Sequence, residues 1–400
     1  MADGPVSAAE RAVLDRISRD EIVELTRSLV GAPGTNPPGA EEATVSELFD
    51  ACTARGLECS RAEVEPGRPN LSATLAGADG PGLLLLGHTD VVPIGTGWTV
   101  DPLGGLVRDG RLFGRGSTDM LGGLAACVVA MAALREAGIE LSGPVELAAV
   151  VDEEETGKGV RHFLTTRERP DFLGCVVAEP TDVQTVLAAR GDSYVEVTVR
   201  GRAAHAGNPA DGANAIYGAA AVVAELESWN HELARTPHRL IGPATWSVGQ
   251  VRGGTGTSTV PAECVLVADR RLLPEESAAE VVEALSRRVA SLALADRGLA
   301  AEVRVTMEMP GFETAADHPF VTAVDGAVGA AGGPGLPLGG WTAACDGGFV
   351  ARATGVPVVV LGPGSVADQA HQPDESVDLE ELHVASRAYA LAALRLLRVG

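Results

Sequence analysis

Histidine and acidic side chains gather in five short segments of the sequence, each at or just after the end of a predicted strand or glycine-rich loop. The segments are 87–90, 114–120, 151–157, 178–181 and 370–375. Together they supply two imidazoles and several carboxylates but no thiolate. Such a donor set suits a catalytic Zn²⁺, Co²⁺ or Mn²⁺ ion rather than a structural zinc site. A carboxylate beyond the ligands could then act as general base toward a water molecule that the metal activates.

Each segment also has an interpretation without metal chemistry. His88 and Asp90 form an H-x-D pattern, in which the carboxylate can fix the tautomer of a histidine that is merely structural. Asp119 ends a glycine-rich loop and begins a small-residue helix, where aspartate commonly caps the N-terminus. The acidic run 152–155 could be a solvated loop, although successive acids repel one another unless water or cations surround them. The metal hypothesis therefore depends on the five segments meeting in space.

The predicted elements explain how these segments could meet. Short apolar runs predict strands at 82–87, 145–151, 175–178 and 356–361, and small or apolar residues at helical spacing predict helices at 119–137 and 379–397. Strands that alternate with helices indicate an α/β fold with helices on both faces of the sheet. Because ligands bind beyond the carboxyl ends of strands in open α/β sheets, His88 points toward the expected site.

The pattern changes near Ala189 and returns to its first form after Pro310. A strictly alternating strand at 193–200 opens a section with further strands at 245–251, 263–269 and 302–307 and helices at 214–229 and 277–293. This section reads as an inserted α+β module of about 120 residues, a usual size for a domain. We therefore predict a catalytic domain in two parts, 1–188 and 310–400, interrupted by a second domain at 189–309.

The composition excludes several classes of protein. The 400 residues carry a formal net charge of −23, so a nucleic-acid backbone or an anionic membrane would be repelled. No apolar run reaches the roughly 18 residues that span a bilayer, and the N-terminus lacks the features of a signal peptide. The six cysteines form no CxxC pair, and neither a G-x-S-x-G nor a P-loop motif occurs. We expect a cytoplasmic protein that binds no nucleic acid and no membrane and acts on a small molecule.

The same segments, with two more, make the chain resemble the M20 metallopeptidases. The matching motifs are GHTDVVP at 87–93, GRGSTDMLGG at 114–123, DEEETG at 152–157, AEPT at 178–181, RGRAAHAG at 200–207, DRRLLP at 269–274 and AHQPDE at 370–375. This family includes acetylornithine deacetylase, succinyl-diaminopimelate desuccinylase and glutamate carboxypeptidase. The resemblance implies a zinc-exopeptidase-like α/β catalytic domain, a mixed sheet flanked by helices, with an inserted α+β lid and dimerisation domain.

The resemblance also implies a set of metal ligands. Asp119 would bridge two divalent ions. His88 and Glu179 would complete the protein ligands of one ion, and Glu154 and His371 those of the other. Zinc is the expected metal, with Co²⁺ or Mn²⁺ as alternatives.

Further roles follow from the same motifs. Glu153 matches the general base, and Asp90 the residue that orients His88. His205 of the inserted domain matches a histidine that stabilises the oxyanion, in many members from across a dimer. Arg271 matches an arginine that often holds the substrate carboxylate, a task suited to a bidentate guanidinium. We accordingly expect a homodimer formed through the lid, although His205 could be a surface histidine and Arg271 could pair with a lid carboxylate.

Three places depart from the family pattern or leave it open. In the run Glu153-Glu154-Glu155 the base and the ligand could instead be Glu154 and Glu155; we choose Glu153 and Glu154 because they directly follow the strand and Asp152. Ser258 stands where the family usually has asparagine, which puts recognition of the substrate backbone in doubt. Leu121 stands where lysine is frequent, at a position that is not a ligand.

The expected reaction is hydrolysis of the amide bond in a small N-acyl amino acid, of the deacetylase or desuccinylase type. A bridging water would be activated by two metals and the glutamate base. A dipeptidase or carboxypeptidase using the same site is the alternative. A non-catalytic binding protein on this scaffold would lack ligands, whereas all five are present in this sequence.

Overall fold

A computed structural model describes residues 6–166 and 171–398. The predicted domain ranges include residues 1–5, 167–170 and 399–400, which lie outside the described residues. Contacts between Cα atoms divide the chain into two units. The first comprises Met1–Ala188, Glu313–Gly340 and Asp346–Gly400, and the second Ala189–Phe312 and Trp341–Cys345.

The first unit is built on a mixed β-sheet flanked by helices, which confirms the predicted α/β class. Its strands are β1 Gly34–Thr35, β2 Glu58–Glu65, β3 Arg68–Leu75, β4 Gly82–His88, β5 Asp90–Val91, β6 Leu106–Arg108, β7 Arg111–Phe113, β8 Val145–Val150, β9 Phe172–Val177, β10 Val186–Ala189, β15 Phe312–Glu313, β16 Gly339–Trp341, β17 Val358–Val360 and β18 Ser376–Asp378. Its helices are α1 Ala8–Leu14, α2 Arg19–Val30, α3 Glu42–Ala54, α4 Gly122–Glu136, α5 Lys158–Thr166, α8 Pro319–Ala331, α9 Gly347–Thr354 and α10 Leu379–Leu397.

Three neighbouring parallel strands define the edge at which the candidate site forms. Among the described residues the strand order is β15-β10-β17-β9-β4-β8-β3-β2, with β16 paired to β10. Strand β4 lies between β8 and β9 and runs parallel to both. All seven residues of β4 are buried, because Leu83, Leu84, Leu85 and Leu86 fill both faces of the sheet. The carboxyl ends of these three strands therefore meet at one edge.

Helix α4 packs against β4 and β8 and against α2 and α10. It begins at Gly122, three residues later than predicted, because Asp119 is extended rather than helical, with φ −118° and ψ 93°. A Cβ at Gly123 would come within 2.1 Å of the Ala178 carbonyl oxygen, so only glycine permits this close approach of the helix to the chain after β9.

Within the described chain, the stretch Ser117–Glu136, which consists of an irregular turn at Ser117–Leu121 followed by α4, is long and apolar enough to cross a membrane, contrary to the expectation from the sequence. Its most apolar window is 94% buried inside the fold. It is therefore a core helix, and its apolar character is explained by packing against the sheet and neighbouring helices.

A small antiparallel sheet joins two loops of the candidate site. It has the order β18-β7-β6, with Ser376 opposite Phe113. Strand β7 leads directly into the loop before Asp119, and β18 directly follows Glu375. The pairing thus brings segment 370–375 beside segment 114–120, and the Gly114 N–H donates to the Glu375 carbonyl oxygen at 2.8 Å.

The second unit is a four-stranded antiparallel sheet with two packed helices. The strands, in spatial order β12-β13-β11-β14, are Thr245–Gly253, Glu263–Leu272, Gly191–Arg200 and Ala300–Met309, and the helices are α6 Ala215–Leu233 and α7 Ala278–Ser291. Its core buries alternate residues of β11, namely Val195, Val197 and Val199, against α6 and α7.

Candidate metal centre

The first group of possible ligands lies where β4 and β9 end. His88 is the last residue of β4, and Glu179 follows β9 by two residues. The His88 Nε2 atom lies 3.4 Å from Glu179 Oε1 and 3.1 Å from Asp119 Oδ1. The three donor atoms lie within 4.8 Å of one another. Since His88 and Glu179 are almost fully buried, their geometry is set by packing rather than by solvent.

The second group shares Asp119 with the first. His371 Nε2 lies 3.3 Å from Asp119 Oδ2 and 3.1 Å from Glu154 Oε2. The two carboxylate oxygens of Asp119 thus face different groups, Oδ1 toward His88 and Oδ2 toward His371. His371 is half exposed and has a φ of 62°, an uncommon conformation for a residue other than glycine. Such a backbone at a cluster of donors is typical of a functional site.

The electrostatics of the two groups fit cation binding. Burial raises the pKa of Glu179 to about 7 and also raises the pKa values of Glu153 and Glu154. Burial opposes ionisation of Asp119 too, but hydrogen bonds to His371 and His88 outweigh it and hold the Asp119 pKa below its usual range. The hydrogen bond to Asp119 raises the pKa of His371 to about 10. These buried carboxylates need positive charge nearby, and divalent ions would supply it in place of imidazolium protons.

Glu153 lies beside the two groups without belonging to either. Its Oε2 atom lies 4.0 Å from His88 Nε2, and the residue is buried. Glu154 faces His371, whereas Glu155 is exposed. The run of three glutamates therefore presents one carboxylate to His371, one beside His88 and one to solvent.

Asp90 contacts His88 through its backbone carbonyl group and the glutamate loop through its side-chain carboxylate. The His88 Nδ1 atom lies 2.8 Å from the Asp90 carbonyl oxygen and 3.6 Å from the Asp90 carboxylate. The carboxylate instead accepts the backbone N–H groups of Glu153 at 3.2 Å and Glu154 at 3.1 Å. Asp90 thus connects the His88 ring to the loop that carries both glutamates.

Asn36 contributes to the site although no sequence motif indicates it. Its Nδ2 atom donates to Asp90 Oδ2 at 3.0 Å and to Asp152 Oδ1 at 3.3 Å. Asp152 also accepts from the buried Arg68 guanidinium at 2.8 Å and has a φ of 68°. Asn36 lies in a Gly/Pro-rich loop, and nothing in that loop signals partners 54 and 116 residues away.

Replacing Asn36 by alanine should weaken metal binding by about 10-fold, the lower end of the range for loss of a residue outside the ligand set, since Asn36 contacts Asp90 rather than a ligand. The reason is that Asp90 loses the amide that holds it against the glutamate loop. Metal titration of the metal-free protein measures the affinity. Asn230→Ala is the matched control, since Asn230 accepts from Trp246 in the second unit. Equal metal affinity in the Asn36 variant and the unaltered protein would contradict this role.

Glu375 organises the loop that carries Asp119. Its carboxylate binds the Arg115 guanidinium at 2.6 Å and accepts the backbone N–H groups of Gly116, Thr118 and Asp119 at 3.0–3.1 Å. Gly116 has a φ of 82°, which glycine adopts without strain. Both Glu375 and Arg115 stand in motifs quoted above, but the motifs alone do not reveal this contact.

Asp346 is a further buried acid that no sequence motif indicated. It is 2% exposed, and neither carboxylate oxygen has a hydrogen-bond partner among the described residues. Burial raises its pKa well above the usual value, and the nearby charges of Asp90 and Glu179 act in the same direction. The site thus contains a buried carboxyl group in addition to those of the proposed ligands.

The two remaining predicted residues, His205 and Arg271, lie in the second unit. The exposed His205 accepts the Gly207 N–H at its Nδ1 atom at 3.0 Å, so the neutral ring carries its proton on Nε2. Arg271 binds Asp269 through Nε at 3.1 Å and Nη2 at 3.0 Å, and Asp192 through Nη2 at 3.4 Å. A substrate carboxylate at Arg271 would therefore compete with Asp269.

Known proteins that are similar to this chain belong to one family. The model of peptidase family M20/M25/M40 matches residues 84–395. The acetylornithine deacetylase of Proteus mirabilis is 30% identical over 373 residues, covering 89% of this chain and 92% of the relative. The acetylornithine deacetylase of Vibrio vulnificus is 33% identical over 339 residues, covering 84% of this chain and 86% of the relative.

Solved structures share the fold over nearly the whole chain. Aminopeptidase PepT from Bacillus cereus superposes with a TM-score of 0.77 at 25% identity, covering 95% of this chain and 100% of that one. A dinuclear metal binding peptidase of the M20 family from Bacillus subtilis superposes with a TM-score of 0.74 at 19% identity, covering 95% and 98%. The chain belongs to peptidase family M20/M25/M40, and it is a hydrolase that acts on amide bonds.

Proposed function

We propose that the protein hydrolyses the acyl–nitrogen bond of a small N-acyl amino acid with two divalent ions held by His88, Asp119, Glu154, Glu179 and His371. The observation that carries the proposal is the shared carboxylate of Asp119, whose two oxygens face two separate groups of donors. The similarity to acetylornithine deacetylases over most of the chain supports a deacylase over other amide hydrolases.

The donor set favours zinc. Imidazole and carboxylate ligands suit Zn²⁺, with Co²⁺ or Mn²⁺ as substitutes. When bound, such ions supply Lewis acidity to the scissile carbonyl and to the attacking water. The chain contributes the ligand positions, which the strand ends and the Arg115–Glu375 pair hold in place.

Glu153 is the proposed general base. Burial raises its pKa, which suits a group that must take a proton near neutral pH and release it again. The carboxylate would accept a proton from the attacking water and deliver it to the nitrogen of the leaving amine. One proton is thus transferred, the acyl–nitrogen bond breaks, and a carboxylic acid and an amine are formed.

The second unit, with His205 and Arg271, is proposed as the lid and dimerisation domain. Nε2 of the neutral His205 ring is a hydrogen-bond donor, as stabilisation of an oxyanion requires. Arg271 is proposed as the residue that recognises the substrate carboxylate. The exposed β12 lies at the edge of the four-stranded sheet, where a second copy of the chain could pair.

A peptidase using the same site is the second candidate. It is favoured by the likeness to aminopeptidase PepT, the solved structure at 25% identity. A peptidase and a deacylase would share ligands and base, so only the group on the acyl side of the bond distinguishes them.

A hydrolysis screen should separate the two candidates. Protein stripped with a chelator and reloaded with Zn²⁺ or Co²⁺ is assayed on N-acetyl, N-succinyl and N-formyl amino acids and on dipeptides. We expect release of free amine from at least one N-acyl amino acid, no activity in the stripped protein, and recovery on reloading. Turnover of dipeptides alone would replace the deacylase with the peptidase, and activity insensitive to the chelator would contradict both.

A further inference from the structure

Two cysteine thiols that the proposed mechanism does not use lie against each other between α3 and β2. Cys52 lies in the last turn of α3, and Cys59 is the second residue of β2. The intervening turn folds back on the helix, with the Leu57 N–H donating to the Cys52 carbonyl oxygen at 3.2 Å. The side chains of Cys52 and Cys59 interact with each other, and Cys59 Sγ lies 3.5 Å from the Leu57 carbonyl oxygen. The fold thus holds two thiols, seven residues apart in sequence, in contact.

The pair is asymmetric in exposure. Cys52 is fully buried, whereas Cys59 is half-buried on β2, the last strand of the main sheet, most of whose residues are exposed. Cys59 is therefore the cysteine of the pair that a small oxidant meets first, and Cys52 would react through Cys59. The hydrogen bond with Cys52 lowers the pKa of Cys59, which favours the reactive thiolate.

The other four cysteines have different surroundings. Cys127, Cys175, Cys264 and Cys345 are all buried. Burial raises the pKa values of Cys127, Cys175 and Cys264, which keeps them as thiols. Buried, protonated thiols react slowly, so these cysteines serve as internal comparisons.

We propose that Cys52 and Cys59 form a peroxide-sensitive dithiol that closes to an intramolecular disulfide. The Cys59 thiolate attacks one peroxide oxygen, the O–O bond breaks, and Cys59 becomes a sulfenic acid as one water leaves after protonation. The Cys52 sulfur then attacks the Cys59 sulfur, and the sulfenic hydroxyl leaves as a second water with the Cys52 proton. Overall the two thiols lose two hydrogens, and hydrogen peroxide is reduced to two waters. A low-molecular-weight thiol reverses the bond by exchange.

Peptide mapping of the intact, metal-loaded protein tests the proposal. Trypsin cleaves after Arg27, Arg55 and Arg61, so the two cysteines fall in separate peptides, 28–55 and 56–61. After mild peroxide treatment and alkylation of the remaining thiols, we expect these peptides to appear joined. Titration of the denatured protein should show six thiols falling to four, and dithiothreitol should restore six.

Two variants control the experiment. Cys59→Ser should abolish the joined peptide, whereas Cys127→Ser should retain it. The half-buried position of Cys59 makes serine tolerable there, and circular dichroism checks that the variant is folded. The proposal is overturned when peroxide leaves Cys52 and Cys59 unjoined, whether both stay reduced or Cys59 proceeds to a sulfinic acid. Joining of either cysteine to a different one overturns it as well.

Discussion

Replacing Glu153 by glutamine is expected to lower kcat by about 10²–10⁴-fold, the range for loss of a positioned general base. Glutamine has nearly the same volume as glutamate but cannot take a proton from the attacking water. Because Glu153 lies beside the two donor groups rather than within them, the variant should still bind both metal ions. The measurements are kcat on the substrate found in the hydrolysis screen and metal content per chain.

Glu155→Gln is the matched control for this prediction. Glu155 is exposed, so the substitution should leave kcat and metal content unchanged. Full activity in Glu153→Gln, together with loss of metal in Glu155→Gln, would show that the base and the ligand are Glu154 and Glu155. That pair of results would contradict our assignment of the glutamates.

Replacing Asp119 by alanine is expected to remove both metal ions and essentially all activity. The substitution deletes the Asp119 carboxylate, which faces both groups, Oδ1 toward His88 and Oδ2 toward His371. Loss of a partner of a ligand already costs about 10–100-fold in affinity, so loss of a shared ligand should exceed this for each ion. Elemental analysis after dialysis against a weak chelator measures the effect.

His371→Ala provides the contrast, because His371 belongs to one group alone. The substitution should weaken the binding of one ion and leave the other bound, so the metal content should fall by half rather than to zero. Asp109→Ala, at an exposed aspartate, should leave the metal content unchanged. An Asp119 variant that keeps one tightly bound ion would show that Asp119 does not bridge.

The elements with the strongest patterns were predicted closely. The apolar run 82–87 is strand β4, Gly82–His88, and the last helix has the predicted bounds, Leu379–Leu397. A strand that is buried on both faces requires an unbroken apolar run, and a long helix requires apolar residues at helical spacing over its whole length. Both patterns can therefore be recognised in the sequence. The helix predicted from Asp119 begins at Gly122 instead, because Asp119 is extended toward both histidines.

The geometry of the donors depends on contacts that the sequence could not reveal. The motifs indicated which residue types would meet. However, the small sheet that places the Glu375 carboxylate against the Asp119 N–H is formed by strands of only three residues, which leave no clear pattern in the sequence. Asn36 and Asp346 lie in segments without any chemical pattern of their own. Their positions follow from tertiary packing, which brings Asn36 to Asp90 across 54 residues.

Anomalous diffraction from crystals of the zinc-loaded protein tests the central proposal most directly. If two ions bind as proposed, we expect two anomalous peaks, one among His88, Asp119 and Glu179 and the other among Asp119, Glu154 and His371, with Asp119 adjacent to both. A single peak, or peaks away from these side chains, would rule out a two-metal site held by these ligands.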